Sequence, residues 1–210
     1  MRAAIRLLFS SLVLLLAACS ASSPRTPLPY SDDFSDPTSG WKTVNDPAIQ
    51  IQYRDGALHF QIDELDQIVW STPTDRRFGD FTLAVEAAQL GGPDDNSYGV
   101  LIRYVDDRNF YRLDISGDGY FAVTKRQDGR WTTLQDWVES PAIRSGQATN
   151  RLKVIARGSA FTFIVNDQTV STFTDADFPQ GNIGLTAGTL FEHAGVQIAF
   201  DNLTVTEASP

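Results

Sequence analysis

Five side chains whose chemistry suits a polar ligand share one alternation pattern. They are Glu86, Arg103, Arg112, Asp114 and Tyr120. Each alternates with apolar neighbours, so each is predicted to point away from a hydrophobic core. If their strands are neighbours, the five share one outward sheet face. Arginine forks beside an aromatic ring suit the hydroxyl or carboxylate groups of a sugar. The alternative is a ladder of salt bridges on a solvated sheet, in which each cross-strand pair contributes about 0.2–1 kcal/mol.

The segments that must position these side chains alternate with period two. The runs at 80–89, 97–104, 110–116 and 120–125 place apolar residues on one side of the chain and polar or small residues on the other. Such alternation is typical of half-buried antiparallel strands. Turn sequences such as Ser116-Gly117-Asp118-Gly119 separate the runs at short intervals. The pattern therefore predicts an all-β protein, a two-sheet antiparallel jelly-roll sandwich.

The last predicted strand changes parity once. Val196 and Phe200 share one parity, whereas Leu203 and Val205 share the other. A β-bulge reconciles the two halves, because one extra residue reverses the side to which later side chains point. We predict this bulge at Asp201–Asn202.

Catalytic and metal-binding sequence motifs give no strong signal. The sequence has no His-x-x-x-His pair, no pair of cysteines, no Gly-x-Ser-x-Gly turn and no phosphate-binding loop. Its two histidines are His59, predicted to face solvent from a strand, and His193, predicted to lie in a loop. A serine, histidine and aspartate site assembled across loops is the catalytic alternative that sequence motifs leave open.

The only cysteine follows a short apolar run. Arg2 and Arg6 precede the run at 7–18, which is shorter than the ~20 residues of a membrane-spanning helix and is typical of a secretory signal. The sequence Leu16-Ala17-Ala18-Cys19 resembles the bacterial lipobox. This resemblance implies that the chain is cut before Cys19 and that its thiol carries lipid. The alternative is an ordinary cleaved signal with a chance cysteine.

These features predict four segments along the chain. Residues 1–18 form the signal peptide, 19–29 a lipidated tether rich in Ser and Pro, 30–206 the sandwich domain and 207–210 a tail. Two or three acyl chains hold a protein stably on a bilayer. The predicted partner of Cys19 is therefore a lipid bilayer, either the cell membrane or the outer membrane of a bacterium, with the domain outside the cytoplasm.

The length and net charge of the chain limit which kinds of molecule it can bind. The chain has a formal net charge of −9, and removal of the signal takes away two arginines. This charge argues against binding nucleic acid or an anionic membrane through net charge. The length beyond residue 18 suits one hydrophobic core, and we predict a monomeric domain without disulfides.

Four stretches of the sequence carry a family resemblance. DDFSDPTSGW, YRDGALHF, the run that begins SYGVLIRYVDDRNF and the ending FPQGNIGLTAG through FDNLTV resemble bacterial concanavalin A-like lectin/glucanase domains. The nearest relatives are laminin-G-like and 3-keto-disaccharide hydrolase-type domains, and the similarity covers nearly all of 30–206. It implies two stacked, curved antiparallel sheets with adjacent terminal strands, and a carbohydrate or protein ligand, commonly on the concave sheet or at its loop rim.

The resemblance also bears on catalysis. Glucanases of this fold carry a Glu-x-Asp-x-x-Glu strand motif, and the most similar stretch here runs from Glu64 through Asp66 to Val69, which replaces the second glutamate. A retaining glycosidase needs two carboxyl groups about 5 Å apart. The sequence therefore favours a non-catalytic module that binds a glycan or another envelope ligand. The alternative is a carbohydrate-active hydrolase of the 3-keto-disaccharide hydrolase type.

Two further features follow from the resemblance. Related folds hold a calcium ion between the first and last strands, where Asp32, Asp33 and Asp201 could supply oxygen ligands. The alternative is that Asp201 fixes the predicted bulge through hydrogen bonds. The resemblance makes Trp131 and Trp137 structural residues at a sheet edge, with a sugar-stacking platform as the alternative.

Overall fold

The computed structural model describes residues 25–208, and every regular element in that range is a β-strand. The strands are β1 (Tyr30–Asp32), β2 (Val44–Asn45), β3 (Ile49–Arg54), β4 (Ala57–Ile62), β5 (Ile68–Ser71), β6 (Phe81–Gly91), β7 (Ser97–Asp106), β8 (Asn109–Ile115), β9 (Tyr120–Gln127), β10 (Arg130–Glu139), β11 (Thr149–Arg157), β12 (Ala160–Val165), β13 (Gln168–Thr174), β14 (Asn182–Gly188) and β15 (Val196–Thr206). The predicted all-β class is confirmed.

The strands form two antiparallel sheets. The nine-stranded sheet has the order β13-β12-β11-β6-β15-β4-β3-β2, and β1 pairs with β15 beside that path. The six-stranded sheet has the order β10-β9-β8-β7-β14-β5. The predicted two-sheet jelly-roll sandwich is therefore confirmed. No helix among residues 25–208 has the length and apolar content needed to cross a membrane.

The core lies between the two sheets and follows from the alternation. Tyr111 and Leu113 on β8 are buried against Phe161 on β12 and Leu83 on β6. The Tyr111 and Phe161 rings lie 5.1 Å apart, which is a favourable distance for an aromatic pair across the core. Each fully buried large apolar side chain contributes about 1.5–3 kcal/mol relative to exposure, and this burial holds the disulfide-free domain together.

The predicted bulge in the last strand is present. The pairing of β15 with β6 shifts register between Asp201 and Thr204, and Asn202 has a positive φ of 53°. Before the bulge, β15 pairs with β4, and after it β15 pairs with β1. The bulge therefore keeps Phe200 and Leu203 in the same core although their parity differs.

A second bulge, which the alternation did not predict, occurs in β7. Arg103 has a positive φ of 52°, and the pairing of β7 shifts register beyond Ile102. One extra residue turns the Arg103 side chain inward and Tyr104 outward. The Arg103 guanidinium lies 5.5 Å from the Phe81 ring and donates to Asp80 Oδ1 at 3.1 Å. The prediction that Arg103 points away from the core was therefore wrong.

The segment just before β1 contacts the domain. Thr26 N donates to Arg77 O at 2.7 Å, and Arg77 N donates to Thr26 Oγ1 at 2.8 Å. Leu28 packs against the core. Residues 25–29 are therefore part of the domain, and assigning them to a tether was wrong, because a backbone bridge and one apolar side chain suffice to dock them. The predicted signal peptide and Cys19 lie outside the described residues.

Candidate functional site

The candidate site is the outer face of the six-stranded sheet, meaning the side of that sheet turned away from the sandwich core. Along β8 this face presents Phe110, Arg112 and Asp114, whereas Tyr111 and Leu113 between them enter the core. Strand pairing places Leu101 and Thr124 beside Arg112, and Gly99 and Ala122 beside Asp114. Two residues of strand rise about 6–7 Å, so the strip from Phe110 to Ser116 is roughly 20 Å long.

A buried ion pair occupies the middle of the outer face. Arg112 Nε lies 3.1 Å from Asp114 Oδ1, and the two residues are only 5% and 1% exposed. Arg112 Nη2 also donates to Ser97 Oγ at 2.8 Å. Buried charges of this kind are stable only when they are paired, because each loses its hydration. The pair therefore fixes both side chains in place beneath the surface of the outer face.

Burial shifts the titration of both members of this pair. Loss of hydration raises the pKa of Asp114 to about 6, although the Arg112 charge opposes this shift. Loss of hydration likewise lowers the pKa of Arg112, with Asp114 opposing. The desolvation effect dominates because water reaches neither group freely. Asp114 is thus a carboxyl group whose pKa lies closer to neutral pH than that of an exposed aspartate.

An aromatic cluster lies at one end of the outer face, and we define it as Trp70, Tyr104, Phe110 and Trp131. The Phe110 ring lies 5.4 Å from Trp70, 5.7 Å from Tyr104 and 5.7 Å from Trp131. Tyr104 joins this cluster because the Arg103 bulge turns it outward. Trp131 is 43% exposed, so part of its ring is available to a ligand.

Asp107 orients two rings of the aromatic cluster. Its Oδ1 accepts hydrogen bonds from Trp70 Nε1 at 3.1 Å and from the Tyr104 hydroxyl. The Tyr104 hydrogen bond is the main cause that lowers the pKa of Asp107, with smaller contributions from the charges of Lys42 and Arg126. Burial and the Asp107 carboxylate raise the pKa of Tyr104. Asp107 therefore stays ionised at neutral pH and holds the rings in position.

Arg126 lies over the aromatic cluster. Strand pairing puts it between Phe110 and Trp131, and its guanidinium carbon lies 5.3 Å from the Trp131 ring and 5.9 Å from the Trp70 ring. Cation–π contacts at such distances are attractive. Within residues 25–208, no carboxylate forms an ion pair with this guanidinium and no hydrogen bond involves it.

A small pocket closes the other end of the outer face. Its volume is about 230 Å³. Its lining residues are Asp95, Asn96, Ser116, Asp118, Tyr120, Trp137 and Leu190. Asn96 is held by hydrogen bonds to Gln89 Oε1 at 3.0 Å and to Pro93 O at 2.7 Å. The pocket thus combines two carboxylates with two partly exposed aromatic rings, those of Tyr120 and Trp137. We call it the acidic pocket.

Polar atoms without hydrogen-bond partners concentrate on the outer face. Within the described range, six buried side-chain nitrogen or oxygen atoms lack a hydrogen bond. Four of the six belong to this face: Arg112 Nε, Asp114 Oδ1, Thr124 Oγ1 and Arg126 Nε. Two of these four, Arg112 Nε and Asp114 Oδ1, belong to the ion pair, in which the angles do not meet those of a hydrogen bond. Because buried polar atoms are nearly always satisfied, such a concentration distinguishes this face from the rest of the described residues.

The structure brings together three of the five side chains selected by the alternation. Those three are Arg112, Asp114 and Tyr120. Glu86 lies on β6 in the other sheet, where Asn202 Nδ2 donates to its Oε2 at 3.1 Å. Grouping Glu86 with the others was wrong, because parity along a strand does not say to which sheet the strand belongs. Arg103 does not belong to the outer face, because the bulge in β7 turns its side chain into the core.

The three carboxylates proposed for calcium each have a local partner. Asp32 accepts hydrogen bonds from Phe34 N at 2.8 Å and Trp41 Nε1 at 3.0 Å. Asp33 accepts from Ser35 N, and Asp201 accepts from Asn202 N within the bulge. In the described part of the chain, no group of three or more His, Cys, Asp or Glu side chains is arranged to hold a metal ion. Calcium binding stays a prediction, and the geometry adds nothing in its favour.

Sequence reasoning missed the aromatic cluster and Arg126. Trp70 lies on a strand of four residues, too short to show an alternation, and Tyr104 changed sides at an unpredicted bulge. Arg126 and Phe110 did carry a signal, since each has the parity opposite the core residues of its strand. Trp131 was predicted to be structural, but its exposed ring fits the alternative of a stacking platform.

Solved structures of similar fold include carbohydrate-active proteins. The carbohydrate-binding module CBM66 from Bacillus subtilis is 19% identical, with a TM-score of 0.65 over 80% of this chain and 96% of that chain. A Bacillus subtilis protein with a galectin-like fold is 12% identical, with a TM-score of 0.65 over 85% and 94% of the two chains. A glycosidic hydrolase is 12% identical, with a TM-score of 0.65 over 87% and 97%. At these identities the similarity concerns the fold alone.

Sequence families give a more specific match. No protein of curated function matches the chain in sequence. The family model of the 3-keto-alpha-glucoside-1,2-lyase-like domain matches residues 33–206, which includes every strand from β2 to β15 and so the whole outer face. The chain therefore belongs to the family of 3-keto-alpha-glucoside-1,2-lyase-like domains.

Proposed function

We propose that this protein binds a carbohydrate on the outer face of its six-stranded sheet. The observation that carries the proposal is the combination on one face of exposed aromatic rings with polar groups, namely the partly exposed Arg126 guanidinium and the carboxylates of the acidic pocket. Sugars present both apolar C–H faces and hydroxyl groups, so a binding site needs rings for stacking and precisely placed polar groups. Membership of a family named for its action on glucosides supports the same class of ligand.

The two ends of the outer face have different roles in this proposal. At one end, the 43% exposed ring of Trp131 provides a stacking surface that Phe110 and Arg126 hold from beneath and beside. At the other end, the acidic pocket offers the Asp95 and Asp118 carboxylates as acceptors for sugar hydroxyl groups. The buried Arg112–Asp114 pair lies between the two ends and keeps the strip polar.

A glycan array screened with the purified full chain tests this proposal. Any glycan that binds is then titrated against the wild type, Trp131→Ala and Gln52→Ala by calorimetry. Trp131→Ala should weaken binding about tenfold or more, because truncating an aromatic anchor typically costs over 1.4 kcal/mol. Gln52 lies on the outer side of the nine-stranded sheet, so Gln52→Ala is the matched control and should bind normally. Equal affinity of all three proteins would place the ligand elsewhere.

A second candidate function is hydrolysis of the bound carbohydrate. The raised pKa of Asp114, about 6, favours it, because a general acid works best when its pKa is near the working pH. Burial of Asp114 opposes it, since a carboxyl group that is 1% exposed does not reach a substrate without movement of its neighbours. We therefore place binding first and hydrolysis second.

Product analysis separates these two functions. Each glycan that binds is incubated with the wild type and with Asp114→Asn, and the products are resolved by chromatography. If the protein is a hydrolase that uses Asp114, the wild type releases sugar and Asp114→Asn binds the glycan without releasing sugar. Binding without any product from the wild type would exclude hydrolysis of that glycan and leave the binding function intact.

We further propose that the domain is anchored to a bacterial membrane through lipid on Cys19. The lipobox-like sequence Leu16-Ala17-Ala18-Cys19 supports this anchor. Cys19→Ala should release the protein from the membrane fraction or leave an uncut precursor. Fractionation and mass spectrometry of the mature N terminus measure both results. Mature wild-type protein that is wholly soluble and carries no acyl mass would contradict the anchor.

A further inference from the structure

We propose that the preferred ligand of the outer face is an acidic glycan, whose uronic-acid carboxylate pairs with Arg126. This inference rests on the proposed carbohydrate-binding function and specifies the chemical class of the sugar. It starts from Arg126, which lies over the aromatic cluster and forms no ion pair within residues 25–208.

The charged groups near the aromatic cluster fall into two classes. Arg112 is neutralised by Asp114 at 3.1 Å, and Asp107 is engaged by Trp70 and Tyr104. Arg126 differs, because no carboxylate within residues 25–208 forms an ion pair with it, although Asp107 is near enough to feel its charge. Arg126 is also only partly exposed, and its Nε is buried without a hydrogen-bond partner.

A partly buried guanidinium without an ion-pair partner, such as that of Arg126, destabilises the folded protein unless another group compensates for its lost hydration. An arginine that rests on aromatic rings has lost part of its hydration, and this protein has carboxylates to spare, with 26 acidic residues against 17 Lys and Arg. The guanidinium carbon lies 5.9 Å from the Trp70 ring and 5.3 Å from the Trp131 ring, and cation–π contacts at these distances favour this position of the side chain. Such preorganisation lowers the entropy cost of binding an anion.

The shape of the site selects a carboxylate carried by a sugar. A guanidinium is a planar fork that matches the two oxygens of a carboxylate. The guanidinium lies over the Trp131 ring, which is 43% exposed, so a sugar can stack on the exposed part of the ring while its carboxylate reaches Arg126. A uronic acid carries both features on one residue. A neutral sugar would use the ring and leave the cation without a partner.

The test compares each acidic glycan with its own neutral form. The probes are oligosaccharides of galacturonate, glucuronate, mannuronate and guluronate, each paired with the same oligosaccharide after its carboxyl groups are reduced to alcohols. The full chain is titrated with each pair at low and high salt. We expect at least one acidic probe to bind about tenfold or more tightly than its neutral form, with a preference that shrinks at high salt.

Variants of Arg126 then locate the preference. Arg126→Gln should weaken binding of the acidic probe by about 10- to 100-fold, the usual range for a hydrogen bond to a charged group, and change the neutral form less than twofold. Arg126→Lys, which keeps the charge and loses the fork, should lie between. Arg157→Gln removes the same charge from an exposed position on the nine-stranded sheet and should bind as wild type.

The outcomes separate this inference from the proposed function. If neutral probes bind as tightly as acidic ones and Trp131→Ala abolishes both, the outer face binds carbohydrate but the inference about acidic glycans is wrong. An acidic preference that survives Arg126→Gln would also overturn it. If none of the probes binds, the inference fails outright, whereas binding of some other glycan on the array would still support the proposed function.

Discussion

The outer faces of the two sheets are built from the same alternating pattern, yet they differ in burial. On the nine-stranded sheet, charged side chains form exposed contacts, such as that of Arg151 Nη1 with Asp167 Oδ1 in the β12–β13 turn at 3.4 Å. On the six-stranded sheet, Arg112 and Asp114 form a pair that is almost completely buried. Exposed pairs contribute about 0–1 kcal/mol, whereas breaking a buried pair costs about 3–5 kcal/mol.

Burial of charged side chains therefore distinguishes the candidate site from an ordinary solvated sheet face. Period-two alternation identifies the residues that leave the core, and both faces satisfy it. On the six-stranded sheet, Arg112 and Asp114 are almost completely buried and Arg126 lies over the Trp131 ring, whereas the Arg151–Asp167 pair of the nine-stranded sheet is exposed. The two faces therefore differ in how deeply their charged side chains are buried.

The largest expected effect is on stability. Arg112→Ala should lower the free energy of unfolding by about 3 kcal/mol, because it leaves the Asp114 carboxyl buried without its cation. Arg151→Ala, on the nine-stranded sheet, is the control and should cost less than about 1 kcal/mol. Urea denaturation measures both values.

A double variant guards this test against simple misfolding. Replacing both charges, in Arg112→Met with Asp114→Leu, should restore much of the stability lost in Arg112→Ala, because no charge then remains buried. Small and equal losses in Arg112→Ala and Arg151→Ala would mean that the pair is solvated after all and that the two faces are alike.

A smaller effect is expected in the pH dependence of stability. The pKa of Asp114 is raised from 3.8 to about 6 in the folded protein, so the folded state binds more protons than the unfolded state between those values. Its contribution to stability is therefore complete below about pH 4 and is lost as the pH rises through 6. Urea denaturation from pH 4 to pH 7 should show that Asp114→Asn removes this decline. An unchanged pH profile would contradict the raised pKa.

The smallest effect should have the opposite sign and come from the other sheet. On the nine-stranded sheet, burial and then the Arg54 charge lower the pKa of His59 below 6.5. The unfolded state therefore binds more protons, and stability is lost as the pH falls through 6.5. His59→Gln should remove this loss, which is measured in the same denaturation series. If His59→Gln shifts the profile in the same direction as Asp114→Asn, the contrast between the faces is wrong.

The sequence predicted the fold well because the fold depends on patterns that are local. Alternation in β6 to β9 predicted the strands, and the parity change around Asp201 predicted a bulge that is present. Neither inference needs knowledge of distant contacts. The family resemblance that pointed to a concanavalin A-like domain is likewise confirmed by the match over residues 33–206.

The candidate site was predicted only in part, because it depends on how strands combine. Alternation placed Arg112 and Asp114 on one face, but it gave no sign that both residues are buried there. Glu86 has the right parity in the wrong sheet. Arg103 shows that one residue with a positive φ reverses parity, and arginine gives no sequence signal for such a conformation.

The docking of residues 25–29 determines how far the domain could stand from a membrane. If Cys19 carries lipid, only six residue steps separate the anchor from Arg25, an extended reach of roughly 20 Å. The docking contact at Arg77 lies next to the bridge from Phe78 to Gly181, at the end of the sandwich where Tyr104 pairs with Asn182. The end of the sandwich that carries the aromatic cluster would then lie nearer to the membrane attachment point than the acidic pocket does. A tether of this length would keep a lipid-anchored domain close to the membrane, where it would meet polymers fixed in the envelope more often than molecules diffusing in the medium.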